Sequence, residues 1–209
     1  MQAPHEAEPH DASERPERAI DGRAARSART RRAIVDALRA LHGEGDLRPT
    51  APRVAERAGV SVRTVWQHFD DLEELLVEAG RRDLEIAGTF VEPIDLTLPL
   101  AERVRLLVEQ RARMFEAMAP PWRAARLHAP FSAQIRKNRD ELMTLARQQI
   151  EELFAPELAA ADDRDALLDA LTVASAWAAW ESLRSDVGLD VERSKQAMTL
   201  WLSKLSATT

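Results

Sequence analysis

Ser61, Val62, Arg63, Thr64, Gln67 and His68 fall within eight positions of one another, in the run Ser-Val-Arg-Thr-Val-Trp-Gln-His. On a short helix, small polar residues in the first turn suit the part of a reading helix that enters a DNA major groove. The elements needed to hold them there are legible on both sides. Upstream, Thr50 can cap a first helix, Pro52 is tolerated in its opening turn, and Val54, Ala55 and Ala58 fall on one face at helical spacing. Gly59 supplies a left-handed turn residue, and Val60 can fill the angle between the helices. Ser61 can cap the second helix, whose Val65 and Phe69, four apart, face inward. The pattern implies a DNA-reading helix-turn-helix.

The net charge of −6 fits this only when divided along the chain. Residues 1–14 hold four acids and no base, residues 15–69 hold twelve arginines against six acids, and the remainder is acidic. Positive charge is therefore concentrated around the helix-turn-helix, where it supplies the counterion-release term of phosphate binding. An acidic remainder would repel DNA and favour one docking face. At 209 residues with 45% hydrophobic side chains, the chain can bury a sizeable core. It has no cysteine, hence no disulfide or thiolate metal site. No apolar run approaches the roughly 20 residues of a membrane helix, and the acidic start lacks the order of a secretory signal. A soluble, cytoplasmic protein without membrane contact is expected.

Ala55-Glu56-Arg57-Ala58-Gly59-Val60, then Ser61, Thr64, Trp66, His68, Phe69 and the acidic helix start Glu73-Glu74-Leu75-Leu76, resemble the TetR family of bacterial transcriptional regulators. The resemblance implies that Thr64, Trp66 and His68 clamp phosphates while Val62, Arg63 and Gln67 meet base edges. Ser61 and Thr50, at the two helix starts, and Arg29 join this DNA-facing set. Two positions depart from the family's pattern. Trp66 replaces the usual Tyr but keeps one N–H donor, and Leu72 stands near a customary Lys whose phosphate contact it cannot make.

The rest of the chain is helical in pattern, with no strand alternation. Residues 1–26, rich in Pro, Ala, Glu and Arg with Ile20 as the large apolar residue, are expected to form a disordered arm. In Arg26, Arg29 and Arg32 the arrangement favours phosphate contact; Arg15 to Arg23 suit a solubilising tail. A first helix is expected over Ser27–Leu41. A fourth starts at Asp70 with Glu73 three residues on. A fifth covers Leu100–Met118 and is broken by Pro120-Pro121, with a short sixth around Trp122–His128. A seventh covers Phe131–Phe154, an eighth Asp163–Asp186, and a ninth follows Asp190. These about nine helices predict an all-α fold: a helix-turn-helix domain over 27–72 and a helical ligand-binding and dimerisation domain over 73–209.

The eighth helix is apolar on most sides, so it must be covered all round, either within a single domain or with one face inward and the other against a second copy. The family resemblance implies that its cover is a second copy, making a homodimer through Leu171, Ala174, Ala178, Met198, Trp201 and Leu205. Two reading heads about 34 to 36 Å apart would then match successive major grooves of a palindromic operator. The resemblance also implies a cavity for a small, largely apolar effector lined by Met114, Met118, Trp122, His128, Phe131, Met143 and Trp177. Each of these side chains taken alone fits ordinary core packing as well. The five histidines do not form a metal or triad spacing, and no catalytic constellation stands out. Neither a cofactor nor an enzymatic activity is expected. A ligand-released repressor is the leading expectation; a regulator of the same fold controlled by a partner or by abundance, and more remotely an all-helical enzyme, are the alternatives.

Overall fold

Ile34, Leu38 and Leu41 repeat at helical spacing and are the reason the chain's first helix packs at all: all three are fully buried. The structure, a computed structural model, describes residues 14–207, and the side chains of residues 22–207. Ten α-helices occur among the described residues. They are α1 (Glu14–Gly43), α2 (Ala51–Ala58), α3 (Val62–His68), α4 (Leu72–Gly88), α5 (Leu100–His128), α6 (Ala133–Leu153), α7 (Ala155–Ala160), α8 (Arg164–Ala174), α9 (Trp177–Glu181) and α10 (Val191–Ser206).

Two apolar cores divide the molecule. The head core joins α1 to α2, α3 and the start of α4 through residues including Leu38, Val54, Val65, Phe69 and Leu75. The body core joins α5 to α6, α7, α8, α9 and α10 around Leu107, Phe115, Ile150, Leu171, Trp180 and Leu202. Helix α4 belongs to both, giving Leu75 and Ala79 to the head and Ala87 to the body. The division thus falls within α4 rather than at its start. A polar joint reinforces it: Arg39 of α1 donates to Asp83 of α4 at 2.5 Å, and both are largely buried. Burial raises the Asp83 pKa against the pull of Arg39. Beside this joint His42, also buried, has neither ring nitrogen hydrogen-bonded, and desolvation, reinforced by nearby His128, lowers its pKa to about 4.

Four expectations need correction. Helix α1 begins at Glu14, so residues 14–26 are helical rather than a disordered arm, while residues 1–13 lie outside the described residues. Ala, Arg and Glu are strong helix formers, and a nucleated helix extends through them at little cost. Helix α4 is capped one residue later than expected: Asp71 accepts from the Glu74 amide at 2.8 Å, and Glu74 accepts from the Asp70 amide at 2.7 Å. That register buries Leu75 and packs Leu72 and Leu76 on the head.

Helix α5 continues through Pro120 and Pro121 instead of ending at Met118. The prolines remove the partners of the Glu116 and Ala117 carbonyls, but both residues are exposed and water can reach them. Packing on either side of the prolines, from Phe115 to Trp122 and on to Trp177, holds the helix in line. The expected single helix over Asp163–Asp186 is instead α8, a break at Ala176, α9 and a π-helical turn over Ser182–Asp186. Thr172 and Ser175 donate their hydroxyls back to the Leu168 and Thr172 carbonyls, a pattern that bends helices.

Candidate nucleic-acid interface

The reading unit is assembled from its turn outward. Gly59 has φ 68° and ψ 31°, and the next amide, of Val60, donates to the Ala55 carbonyl at 3.0 Å, closing α2 in a left-handed cap. Ser61 then caps α3, its hydroxyl accepting from the Thr64 amide at 3.0 Å and lying 2.8 Å from the Thr64 hydroxyl. Thr50 precedes α2 in extended conformation but makes no side-chain cap; its carbonyl takes the Val54 amide instead.

Helix α3 is two-faced. Val65 and Phe69 are buried to 1% exposure or less, and the opposite face shows Val62, Arg63, Trp66 and Gln67 to solvent, with Thr64 and His68 half-buried at its edges. Trp66 is 42% exposed, which places a large ring and its N–H where the fold itself has no use for them. Arg63 is exposed and enters no ion pair described for this unit, so its five N–H donors face outward. Arg53 and Arg57 of α2 are paired instead, with Glu56 at 3.1 Å and Glu44 at 2.9 Å. Arg23, Arg26, Arg29 and Arg32 stand exposed along α1.

Arg31 was not legible as part of this unit, and it fixes its geometry. Its guanidinium donates to the His68 carbonyl at the end of α3, pairs with Glu74 of α4 at 2.9 Å and lies 4.1 Å from the Phe69 ring centroid. One side chain therefore ties α1, α3 and α4 together. No local pattern marks it, because its three partners are 37 or more residues away.

Residues 34–79 match the family profile described as "Bacterial regulatory proteins, tetR family". The chain carries a TetR-family helix-turn-helix. Its fold over the greater part of its length is also that of the TetR-family regulators. A transcriptional regulator from Rhodococcus sp. Rha1 superposes with a TM-score of 0.63 at 18% identity, covering 86% of this chain and 95% of that one. A TetR-like transcriptional regulator from Rhodococcus sp. RHA1 does so with a TM-score of 0.58 at 15% identity, covering 86% and 97%. No curated protein matches the chain at a significant level.

Beyond the TetR-family head, the structure separates residues that the sequence placed together. Met118, Trp122 and Trp177 share the body core with Phe115 and Trp180 and do not surround a cavity, while Met114, in the same core, borders a narrow slot beside Arg111 and Gln149. The rings of Phe115–Trp122, Phe115–Trp180 and Trp122–Trp177 lie 5.9, 6.1 and 5.7 Å apart at their centroids, so aromatic side chains fill the space. His128, half-buried at the end of α5, belongs to the head–body joint near His42. Phe131 is 82% exposed in the turn after Pro130, and Met143 is exposed on α6, so neither lines the expected cavity. A concavity of about 230 Å3 lies elsewhere, bordered by Glu116, Pro120, Arg123, Trp180, Glu181, Arg184 and Ser185. Its charges are paired, Arg123 with Glu181 at 2.7 Å and Arg184 with Glu116 at 2.9 Å.

The six residues expected at a dimer interface also divide. Leu171 and Met198 are wholly buried in this chain's own core and are unavailable to a partner, and Leu205 is partly buried against it. Ala178 and Trp201 are exposed and Ala174 is half-buried. The sequence could not separate these two sets, because an apolar run does not say which of its sides the chain itself covers. Val173 and Leu200, exposed on the packed pair α8 and α10, are apolar surface residues outside the expected interface set.

Proposed function

We propose that this chain is a homodimeric, DNA-binding transcriptional repressor that docks α3 in successive major grooves of a palindromic operator. The observation that carries the reading is the split face of α3: Val65 and Phe69 are buried, while Arg63, Trp66 and Gln67 point outward on a helix whose start is fixed by Ser61 and Gly59. Arg63 and Gln67 have the donor geometry for base edges; Thr64, Trp66 and His68 suit phosphate oxygens. Arg29 and its neighbours on α1 add phosphate contacts along one side.

The partner surface in this reading is the outer side of α8, α9 and α10, through Val173, Ala178, Leu200 and Trp201. A second copy would cover four apolar side chains that otherwise meet water. Release from DNA in this reading follows binding of a small-molecule effector to the body, with α4 as the link to the head. The filled aromatic cluster between α5 and α9 favours a second reading, in which a partner protein or abundance alone sets occupancy.

Two measurements test the proposal together. Binding sites selected from random DNA should be palindromic, and affinity for them should fall linearly in log–log plots against salt, as phosphate neutralisation requires. Trp201→Glu should place an unpaired charge in the dry partner surface and shift sedimentation from dimer to monomer. A selected pool with no common sequence, or an unchanged sedimentation coefficient for Trp201→Glu, counts against it.

A further inference from the structure

Arg111 carries a buried charge in the body core. It is 6% exposed on α5, yet no carboxylate among the described residues pairs with it. The Gln149 amide oxygen of α6 accepts from one terminal nitrogen at 2.7 Å, and its Nε has no hydrogen-bond partner. Desolvation lowers its pKa to about 10, so it stays charged at neutral pH. A buried guanidinium without a counter-charge is costly, and folds that keep one usually set it against an anion.

The surroundings say which anion. Arg111 and Gln149 line a narrow slot with Phe90, Val91, Gln110 and Met114, so one charged end is followed by apolar walls. As it stands the slot has no room for a water molecule. Its cover is the segment after α4, held down at Glu92: Gln110 donates to the Glu92 carbonyl at 2.8 Å and Arg113 pairs with its carboxylate at 3.3 Å. We propose that Arg111 anchors an effector site for a monocarboxylate with an apolar body, which enters by lifting the 89–99 segment. One buried positive charge is matched by one negative charge, whereas a phosphate dianion would leave an excess charge inside. The carboxylate accepts the Nε–H and a terminal N–H of the guanidinium fork, and the apolar tail lies against Phe90, Val91 and Met114. Phe90 and Val91 lie just past the Thr89 cap of α4, so an occupant displaces the end of the helix whose other end packs on the head core.

The proposal rests on the effector-released reading above but is tested without DNA. The full-length chain is melted with straight-chain carboxylates from butanoate to decanoate, with the matching amides as uncharged controls, and with inorganic phosphate. Carboxylates should raise the melting temperature and amides should not. Arg111→Met should weaken carboxylate binding by at least about tenfold, the worth of a charge-assisted hydrogen bond. It should also melt higher than the parent when no ligand is present, because an unpaired buried charge has been removed. Gln149→Glu, which supplies a carboxylate from within, should likewise raise the ligand-free melting temperature and abolish the response to octanoate. The proposal is overturned if octanoate and octanamide act alike, if no carboxylate shifts the melt, if phosphate stabilises as well as octanoate, or if Gln149→Glu responds like the parent. Failure here leaves DNA binding untouched, and failure to bind DNA leaves carboxylate stabilisation standing.

Discussion

The head and the body of this chain are both helical and both well buried, but they are specified in different ways. In the head, local chemistry dictates the turn and the reading helix: a left-handed Gly59, a hydroxyl cap from Ser61, and two inward residues, Val65 and Phe69, four apart. In the body, the joints follow from what packs against what. Two prolines lie inside one helix, and a run that is continuously apolar is broken in the middle. A reading surface must hold donors in fixed register with a groove, which demands rigid local devices. A body that has only to bury a core has many packing solutions, and only the tertiary contacts select among them.

The largest effect that can sharpen this contrast comes from the body. Trp180 is fully buried, touches Phe115 and donates its indole N–H to Glu116 at 2.9 Å. Trp180→Ala should cost about 3–5 kcal/mol in chemical denaturation. If the two cores are separate units, the body should unfold first while Phe69 and its neighbours stay packed. A single coincident transition by all probes would show that α4 fuses them into one unit.

The joint between the regions gives the next effect, and it depends on pH. His42 has its pKa lowered to about 4 by burial, with His128 and Arg39 acting in the same direction and Asp46 opposing them. The unfolded chain therefore takes up the proton first as pH falls. Stability is fully present above about 6.5 and is lost down to about 4, by as much as ~3 kcal/mol. Asp83, whose pKa burial raises, works the other way, because there the folded form gains the proton. His42→Leu should flatten the acid limb of a stability–pH curve; an unaltered limb would assign the acid loss to other groups.

The smallest effect tests the head's local specification. An added Cβ at Gly59 meets nothing within 4 Å, so only the positive φ of 68° opposes it. Gly59→Ala should cost about 1–2 kcal/mol of left-handed strain and no packing. A loss as large as that of Trp180→Ala would mean that the turn is held by more than its backbone conformation.

The sequence shows most of the head, since the turn and the caps there lie within a few residues of what they control. Val65 and Phe69 are inward as their spacing requires, and the Ser61 cap forms as its position requires. Arg31 escaped because its partners are far away in the chain. In the body, Met114, Met118 and Trp177 were recognisable as interior residues, but whether they enclose space or fill it is decided by Phe115 and Trp180 together. Leu171 and Met198 could not be told from Ala178 and Trp201, because a helix apolar on all sides does not say which side the chain itself covers. Arg111 was invisible for the same reason: nothing local marks one arginine among many as buried.

The most direct test of the DNA-reading account compares Arg63→Ala with Trp66→Ala on the sequence selected by the parent protein and on random DNA. Arg63, outward in the first turn of α3, should lose about 1–3 kcal/mol on the selected site alone and relax one base position in each half-site. Trp66→Ala should weaken both DNAs alike, as a phosphate contact does. Equal loss on both DNAs for Arg63→Ala, or no loss for either variant, would contradict the placement of α3 in the groove.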